Sequence, residues 1–324
     1  MKKETYISNV ISTADAKAQY DEHAKRILKD KNILAYILIS CVDEFLGCSM
    51  EETVNSIGDI EVSSRSVRPE AVNTLENESI IPGEGKMYFD IVFIATTKNG
   101  EKQKMYINIE TQKSFYPGYD LVTRAIVYPT RLISQQMDIE YTADNYDGVK
   151  KVYSIWLCFN APTKNKDHKK ISDSIVKYSI KPEVLYPNTV TTDNIALGRY
   201  DLLSTIMINL NTNKTINSKN KLISMLSTLF SNTVKTDEKK KILETKYGIQ
   251  MSKELESEVA SMCNLGEGIA EMAEEKGIEK GIKKGKIDML YDLVQSKIIV
   301  PEIAAEKLGI TVEQLKEDMK EAGF

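Results

Sequence analysis

KMYFDIVFIATTKNGEKQKMYINIETQ, residues 86–112, is the stretch on which the fold of this chain turns. Two runs rich in β-branched and aromatic residues, FDIVFI and KMYINIE, flank Asn99-Gly100, a pattern that reads as a β-hairpin. Each run carries a carboxylate that an apolar strand does not need: Asp90 in the first and Glu110 at the end of the second. Gln112 follows Glu110 on the same face by the period of two. An unpaired buried carboxylate is costly, so a strand-borne pair needs compensation. A hard divalent cation supplies it, since Mg²⁺ takes carboxylate and carbonyl oxygens and usually keeps several waters. The backbone carbonyl of Thr111 is a third protein oxygen for Mg²⁺ (or Mn²⁺), and such an ion can activate a water against a phosphodiester.

Whether the two carboxylates meet depends on the loop. A strict two-residue Asn99-Gly100 turn pairs Asp90 with Ile109 and sends Asp90 and Glu110 to opposite faces. A loop of three or five residues, or one bulge, sets Asp90 opposite Glu110. The metal reading therefore predicts a loop other than the simplest Asn-Gly turn. Solvated carboxylates on an exposed sheet face are the plain alternative.

Working outward, YDEHAKRILKDKNILAYILISCVDEF (20–45) places Ile27, Leu28, Ile33, Leu34, Ile37, Leu38, Val42 and Phe45 at three-to-four spacing, which predicts a helix. Ser49 and Glu52 are spaced as a capping box for a following short helix. Residues 61–86 are polar with two prolines and read as loops. YDLVTRAIVYPTRLISQQM (119–137) reads as a helix that Pro129 should kink or interrupt. VYSIWLCF (152–159) has the continuous apolar character of a central strand, and LSTIMINL (203–210) is a second candidate. Strands and helices interleave, so the expected class is α/β, a mixed β-sheet core flanked by helices with a C-terminal all-α extension.

Composition changes after about residue 235, giving three expected regions: 1–235 as the sheet domain, 236–285 as a charged helical connector and 286–324 as a small helical module. Gly277, Gly281 and Gly285 stand four apart in the connector, each costing a helix about 1 kcal/mol relative to Ala. They suit either a poorly stable connector or pairing with a second chain. In the tail, Pro301 opens a helix, Gly309 ends it, and Thr311 with Gln314 forms a capping box. EIAAEKLGITVEQLKE has a helix-turn-helix cadence; an oligomerisation or docking module is the alternative.

The 324 residues are 42% hydrophobic and 28% charged, as in soluble globular proteins. A formal net charge of −4 means that any nucleic-acid contact must come from local basic patches. Four scattered cysteines without CxxC, and only two histidines, argue against a zinc site or a disulfide framework. No apolar run approaches the roughly 18–20 residues of a membrane span. A cytoplasmic protein is expected.

YDEHAKRILKDKNILAYIL, EGKMYFDIVF, INIETQKSFYPGYDLVTRAIVY and KKVYSIWLCFNAP, in this order over roughly residues 20–210, resemble the PD-(D/E)XK nuclease family transposases. These are relatives of the Rpn family of recombination-promoting nucleases. The resemblance implies a restriction-endonuclease-like core and metal-dependent DNA endonuclease activity linked to recombination or mobile elements. Carried over by position, Asp90 and Glu110 match the metal-binding acids. Gln112 stands where the wider superfamily has Lys, and this branch is similar in having ExQ. A Gln can orient a water but cannot lend charge to a transition state. Lys113 has the charge, on the opposite strand face.

Superfamily sites often take a further acid from the first helix, and Glu44 is the candidate, with Glu76, Glu78 and Glu84 as alternatives. Arg124, Tyr128, Arg131 and Gln135 form one polar helical stripe that could contact phosphate or brace the site. With Lys113, the first three are candidate nucleic-acid contacts. Lys164, Lys166, Lys169 and Lys170 make a basic loop, and Arg65 with Arg68 another, suited to salt-dependent phosphate binding. The expected partners are DNA and, through the C-terminal helices, a second copy of the chain, with no membrane. The alternative is a catalytically inactive nuclease-fold protein that binds DNA or acts as a scaffold. An RNA-directed nuclease is a third reading.

Overall fold

The computed structural model describes residues 18–62, 78–81, 85–97, 103–212 and 214–324, with side chains described outside 61–88, 265–277, 279 and 280. Among the described residues, 18–265 form one compact unit and 266–324 another. The first unit is mixed α/β. Its six-stranded sheet runs β1 (Ile57–Val62), β4 (Ile91–Thr96), β5 (Lys104–Gln112), β6 (Lys151–Cys158), β8 (Leu203–Asn209), β7 (Ser174–Ser179). β1, β4 and β5 pair antiparallel, β5, β6 and β8 parallel, and β7 returns antiparallel at the far edge. A separate hairpin joins β2 (Glu78–Ile81) to β3 (Gly85–Tyr88). The end of β1 and this hairpin fall within the stretch read as loops, and the sequence reading does not include the edge strand β7, none of whose residues is fully buried.

The apolar character of β6 reflects its central place, with side chains buried on both faces. On one face Ile107, Ile109, Tyr153 and Ile155 pack against α1 (18–27), α2 (Lys31–Cys41) and α5 (Lys221–Phe230). On the other, Tyr106, Val152 and Trp156 pack against α4 (Leu121–Ser134). The single helix expected over 20–45 is two. Asp30 breaks it, its carboxylate accepting from the N–H groups of Asn32 and Ile33 to start α2. Ser49 and Glu52 form the expected capping box of α3 (Met50–Ser56).

Pro129 does not interrupt α4. Proline lacks the N–H that would bond the carbonyl four residues earlier, and here the Thr205 hydroxyl of β8 donates to that carbonyl, Ala125 O, at 2.9 Å. The return from α4 to β6 is tight at Gly148, where a Cβ would lie 1.7 Å from Glu140 O. The Glu140 carboxylate in turn accepts from Tyr106 Oη at 2.7 Å and pairs with Lys104, clasping this loop to β5. Gly148→Ala is expected to cost about 2 kcal/mol through overpacking, read as a lower urea midpoint; an unchanged midpoint would show that the loop yields freely.

The boundary expected at residue 235 falls inside the first unit. Leu243 and Tyr247 of α6 (Thr236–Tyr247), with Leu255, Val259 and Met262 of α7 (Lys253–Gln295), belong to the main core. Lys239, fully buried, donates to the carbonyls of Leu229 and Ser231 at 2.9 and 2.5 Å and ties α6 to the end of α5. The high charge of 236–265 marks the solvent side of packed helices. The second unit holds the end of α7, α8 (Pro301–Leu308) and α9 (Val312–Ala322) around Tyr291, Ala304, Ala305 and Leu315. Pro301 starts α8, Gly309 ends it at φ 69°, and Thr311 with Gln314 caps α9, as the sequence indicates. The first of the three expected tail helices is the end of the 43-residue α7.

Candidate active site

The hairpin register runs from Ile91↔Ile109 to Thr96↔Lys104, so Asp90, one residue before β4, falls opposite Glu110. This register requires an odd number of connecting residues and excludes the simplest Asn99-Gly100 turn; residues 98–102 themselves lie outside the described residues. The Asp90 N–H donates to Glu110 Oε1 at 3.0 Å. Asp90 Oδ2 accepts from both the N–H and the hydroxyl of Thr111, each at 2.9 Å. Phe159 N–H bonds the Gln112 carbonyl, so even-numbered peptide groups of β5 face β6. By alternation the Thr111 carbonyl faces the other way, toward Asp90, just outside the start of β4.

Glu110 is 3% exposed. Burial, followed by the nearby Asp90 charge, raises its pKa well above the usual carboxylate range; the Asp90 N–H, Arg124 and Lys25 oppose this. Such a carboxyl resists ionisation until a cation joins it.

Two residues from α1 complete the cluster. Lys25 Nζ lies 2.7 Å from Asp90 Oδ1 and 3.4 Å from Asp21 Oδ2. Burial alone would lower the Lys25 pKa, but the charges and hydrogen bonds of Asp90 and Asp21 outweigh it, and the net shift is upward. Asp21 Oδ1 lies 3.5 Å from the Thr111 hydroxyl oxygen and 3.8 Å from Lys113 Nζ. The helix is seated by Ala24, Ile27 and Leu28 in the core and by His23 Nδ1, 2.5 Å from Glu258 Oε2 of α7. Asp21 and Lys25 carried a sequence signal, an i,i+4 acid–base pair, but nothing in the sequence says which strand that flank meets.

α4 supplies the opposite wall. Asp120 caps it, its carboxylate accepting from Thr123 N–H at 2.6 Å. Arg124 donates to the hydroxyls of Tyr119 and Tyr128, at 2.6 Å each, and its guanidinium lies 5.0 and 5.2 Å from the ring centres of Tyr128 and Trp156. Arg131 sits two turns, about 10 Å, further along the helix. Gln112 Nε2 donates to Ser114 O at 2.7 Å, and its amide oxygen can orient a water. Lys113 faces α1, over the Tyr20 ring at 4.7 Å.

Glu44 is not part of this cluster. It bonds Lys151 at 2.8 Å and Tyr153 Oη at 2.7 Å, on the opposite sheet face and near the start of β6. Lys151 is five residues from Trp156, the strand partner of Glu110, which is about 16 Å at the usual rise. Glu44 is the sequence candidate because superfamily sites often take an acid from the first helix; here the acid that approaches Asp90 is Asp21 of α1, ahead of the break at Asp30. Glu76, Glu84, Arg65 and Arg68 lie outside the described residues, and Glu78 opens β2, where side chains are not described. Lys164 and Lys170 bridge a loop whose lysines are exposed.

Among the described residues no group of three or more His, Cys, Asp or Glu side chains is placed to hold a metal ion, and no helix is long and apolar enough to cross a membrane. No family model matches the chain, and no curated protein or solved structure matches it.

Proposed function

We propose that the chain is a metal-dependent phosphodiesterase. More narrowly, it acts as a DNA endonuclease of the PD-(D/E)XK type, related to the Rpn-like transposases and serving recombination or mobile elements. The observation that carries this reading is the convergence of Asp90 with buried Glu110 at the open end of the β4–β5 pair, beside an outward-turned strand carbonyl. Three antiparallel strands, a crossover helix and a parallel strand are the frame a restriction-endonuclease-like core requires, which supports the finer fold assignment.

The donor set fits Mg²⁺ or Mn²⁺: oxygen atoms only, two carboxylates and the Thr111 carbonyl, with water completing the sphere. Glu110 also fits, because a divalent charge removes the penalty on its ionisation. The ion, when bound, would polarise the phosphate and lower the pKa of a coordinated water. Gln112 orients that water through its amide oxygen. Lys25, held against Asp90, contributes the positive charge that Gln112 cannot, from a helix rather than from the strand. Arg124, stacked among Tyr119, Tyr128 and Trp156, presents a fixed guanidinium for phosphate. A cytoplasmic location belongs to the same reading and is supported by four free cysteines.

A plasmid-nicking assay with Mg²⁺ or Mn²⁺ tests it, comparing wild type with Asp90→Ala and Glu110→Ala. Cleavage by wild type alone is expected. Equal cleavage by all three, or none by any alongside intact DNA binding, overturns the enzymatic reading.

A further inference from the structure

We propose that the cleft between the β5–α4 loop and the β7–β8 edge seats an unpaired nucleobase, so that the substrate is engaged as a single strand. This rests on the phosphodiesterase reading. The cleft, of about 310 Å³, is lined by Phe115, Tyr116 and Tyr119 from the loop, Tyr178 from β7, Met207 from β8 and Lys170 at the rim. That volume lies at the small end of ligand pockets, suited to a base or nucleoside.

Its place on the sheet ties it to the carboxylates. Glu110, Trp156, Met207 and Val176 are register partners across β5, β6, β8 and β7. Met207 is two strands from Glu110, about 10 Å at the usual spacing. The Arg124 guanidinium spans the interval, donating to Tyr119 on the cleft side while its charge acts on Glu110. A base in the cleft therefore places its strand beside the acids.

Tyr116 is 67% exposed and Tyr119 52% exposed, Tyr116 edge-to-face with Phe115 and Tyr119 beneath Arg124. Aromatic faces beside a cationic rim are the means by which proteins hold single strands, the rings stacking on bases and the cations following phosphates. Residues 164–170, KNKDHKK, carry four Lys against one Asp, and Lys170 brings this loop to the cleft. Asp120 also lines the cleft, its carboxylate engaged at the α4 N-terminus, and Lys170 is shared with Asp173 at 3.1 Å, so the aromatic rings rather than net charge carry the recognition. Phe115 and Tyr178 pack against the core, while Tyr116 and Tyr119 stay open.

The test uses full-length Glu110→Gln protein without metal, so that nothing is cut, and a short oligodeoxynucleotide containing one 2-aminopurine. The same sequence is tested as a duplex and as RNA. The single strand is expected to bind roughly 10-fold more tightly than the duplex, with fluorescence quenched by stacking. Tyr116→Ala should weaken binding about 10-fold with an unchanged salt slope, and Tyr116→Phe should restore it. Tighter binding of RNA with the same Tyr116 dependence supports the seat and moves the substrate to RNA. Equal binding of single strand and duplex, indifferent to Tyr116→Ala, overturns the inference. Loss of the cleavage reading with Tyr116-dependent binding intact leaves the seat standing, so the two failures are distinguishable.

Discussion

Glu110→Gln is expected to abolish cleavage and at the same time make the protein more stable. The loss should be on the order of 10³-fold, since the variant removes an oxygen charge that the site uses in its transition state. The gain follows from burial. The Glu110 pKa is raised in the folded chain, first by desolvation and then by Asp90. Below the ordinary carboxylate pKa the group is protonated folded and unfolded alike and costs nothing. As pH rises above that value the unfolded chain releases the proton and the folded chain holds it, so wild-type stability falls with pH until Glu110 ionises in the fold. Gln keeps an amide oxygen for the Asp90 N–H and has no proton to release. The variant should therefore melt at the same temperature as wild type near pH 4 and roughly 2–4 °C higher at pH 7.5. Added Mg²⁺ should raise the wild-type melting temperature and leave Glu110→Gln and Asp90→Asn unmoved, because only a ligand that binds the folded state stabilises it. A Glu110→Gln variant that cuts DNA, or one destabilised at pH 7.5, would remove the basis of the assignment.

Lys25→Met is expected to lower the cleavage rate about 10²-fold while changing DNA affinity little, the size of effect produced by removing one group that stabilises developing charge. Lys25 Nζ is 2.7 Å from Asp90 and its side chain is 17% exposed. Met retains the length and apolar stem of the side chain, so α1 should stay seated through Ala24, Ile27, Leu28 and the His23–Glu258 contact. Lys25→Arg, which keeps the charge in a different shape, should recover part of the rate. If Lys25→Met cuts like wild type, the ammonium only fastens the helix to the strand, and Gln112 acts without a cationic neighbour from this chain.

Much of the frame was legible because its signals are local. Ser49 with Glu52, Thr311 with Gln314, Pro301 and Gly309 act within one turn of helix, and each is where its spacing places it. VYSIWLCF reads as a central strand because burial on both faces leaves little room for polar residues. That the α4 proline would not interrupt its helix was illegible for the opposite reason. A helix alone has no donor for the orphaned Ala125 carbonyl, and the donor is Thr205, which approaches only once β8 has joined the sheet.

The site divides along the same line. The sequence by itself determined that Asp90 and Glu110 sit on adjacent antiparallel strands and that Gln112 shares the Glu110 face. It also made their meeting conditional on an odd connection. Only the tertiary structure decided that the register meets this condition, that Lys25 and Asp21 reach Asp90 from α1, and that Glu44 lies at the far end of the sheet. The physical reason is that strand periodicity and helix capping act between neighbours in the chain, whereas the partner of a buried charge is chosen by which surfaces pack. That choice depends on the whole core, here on where Asp30 breaks a helix and how its two halves settle on the sheet.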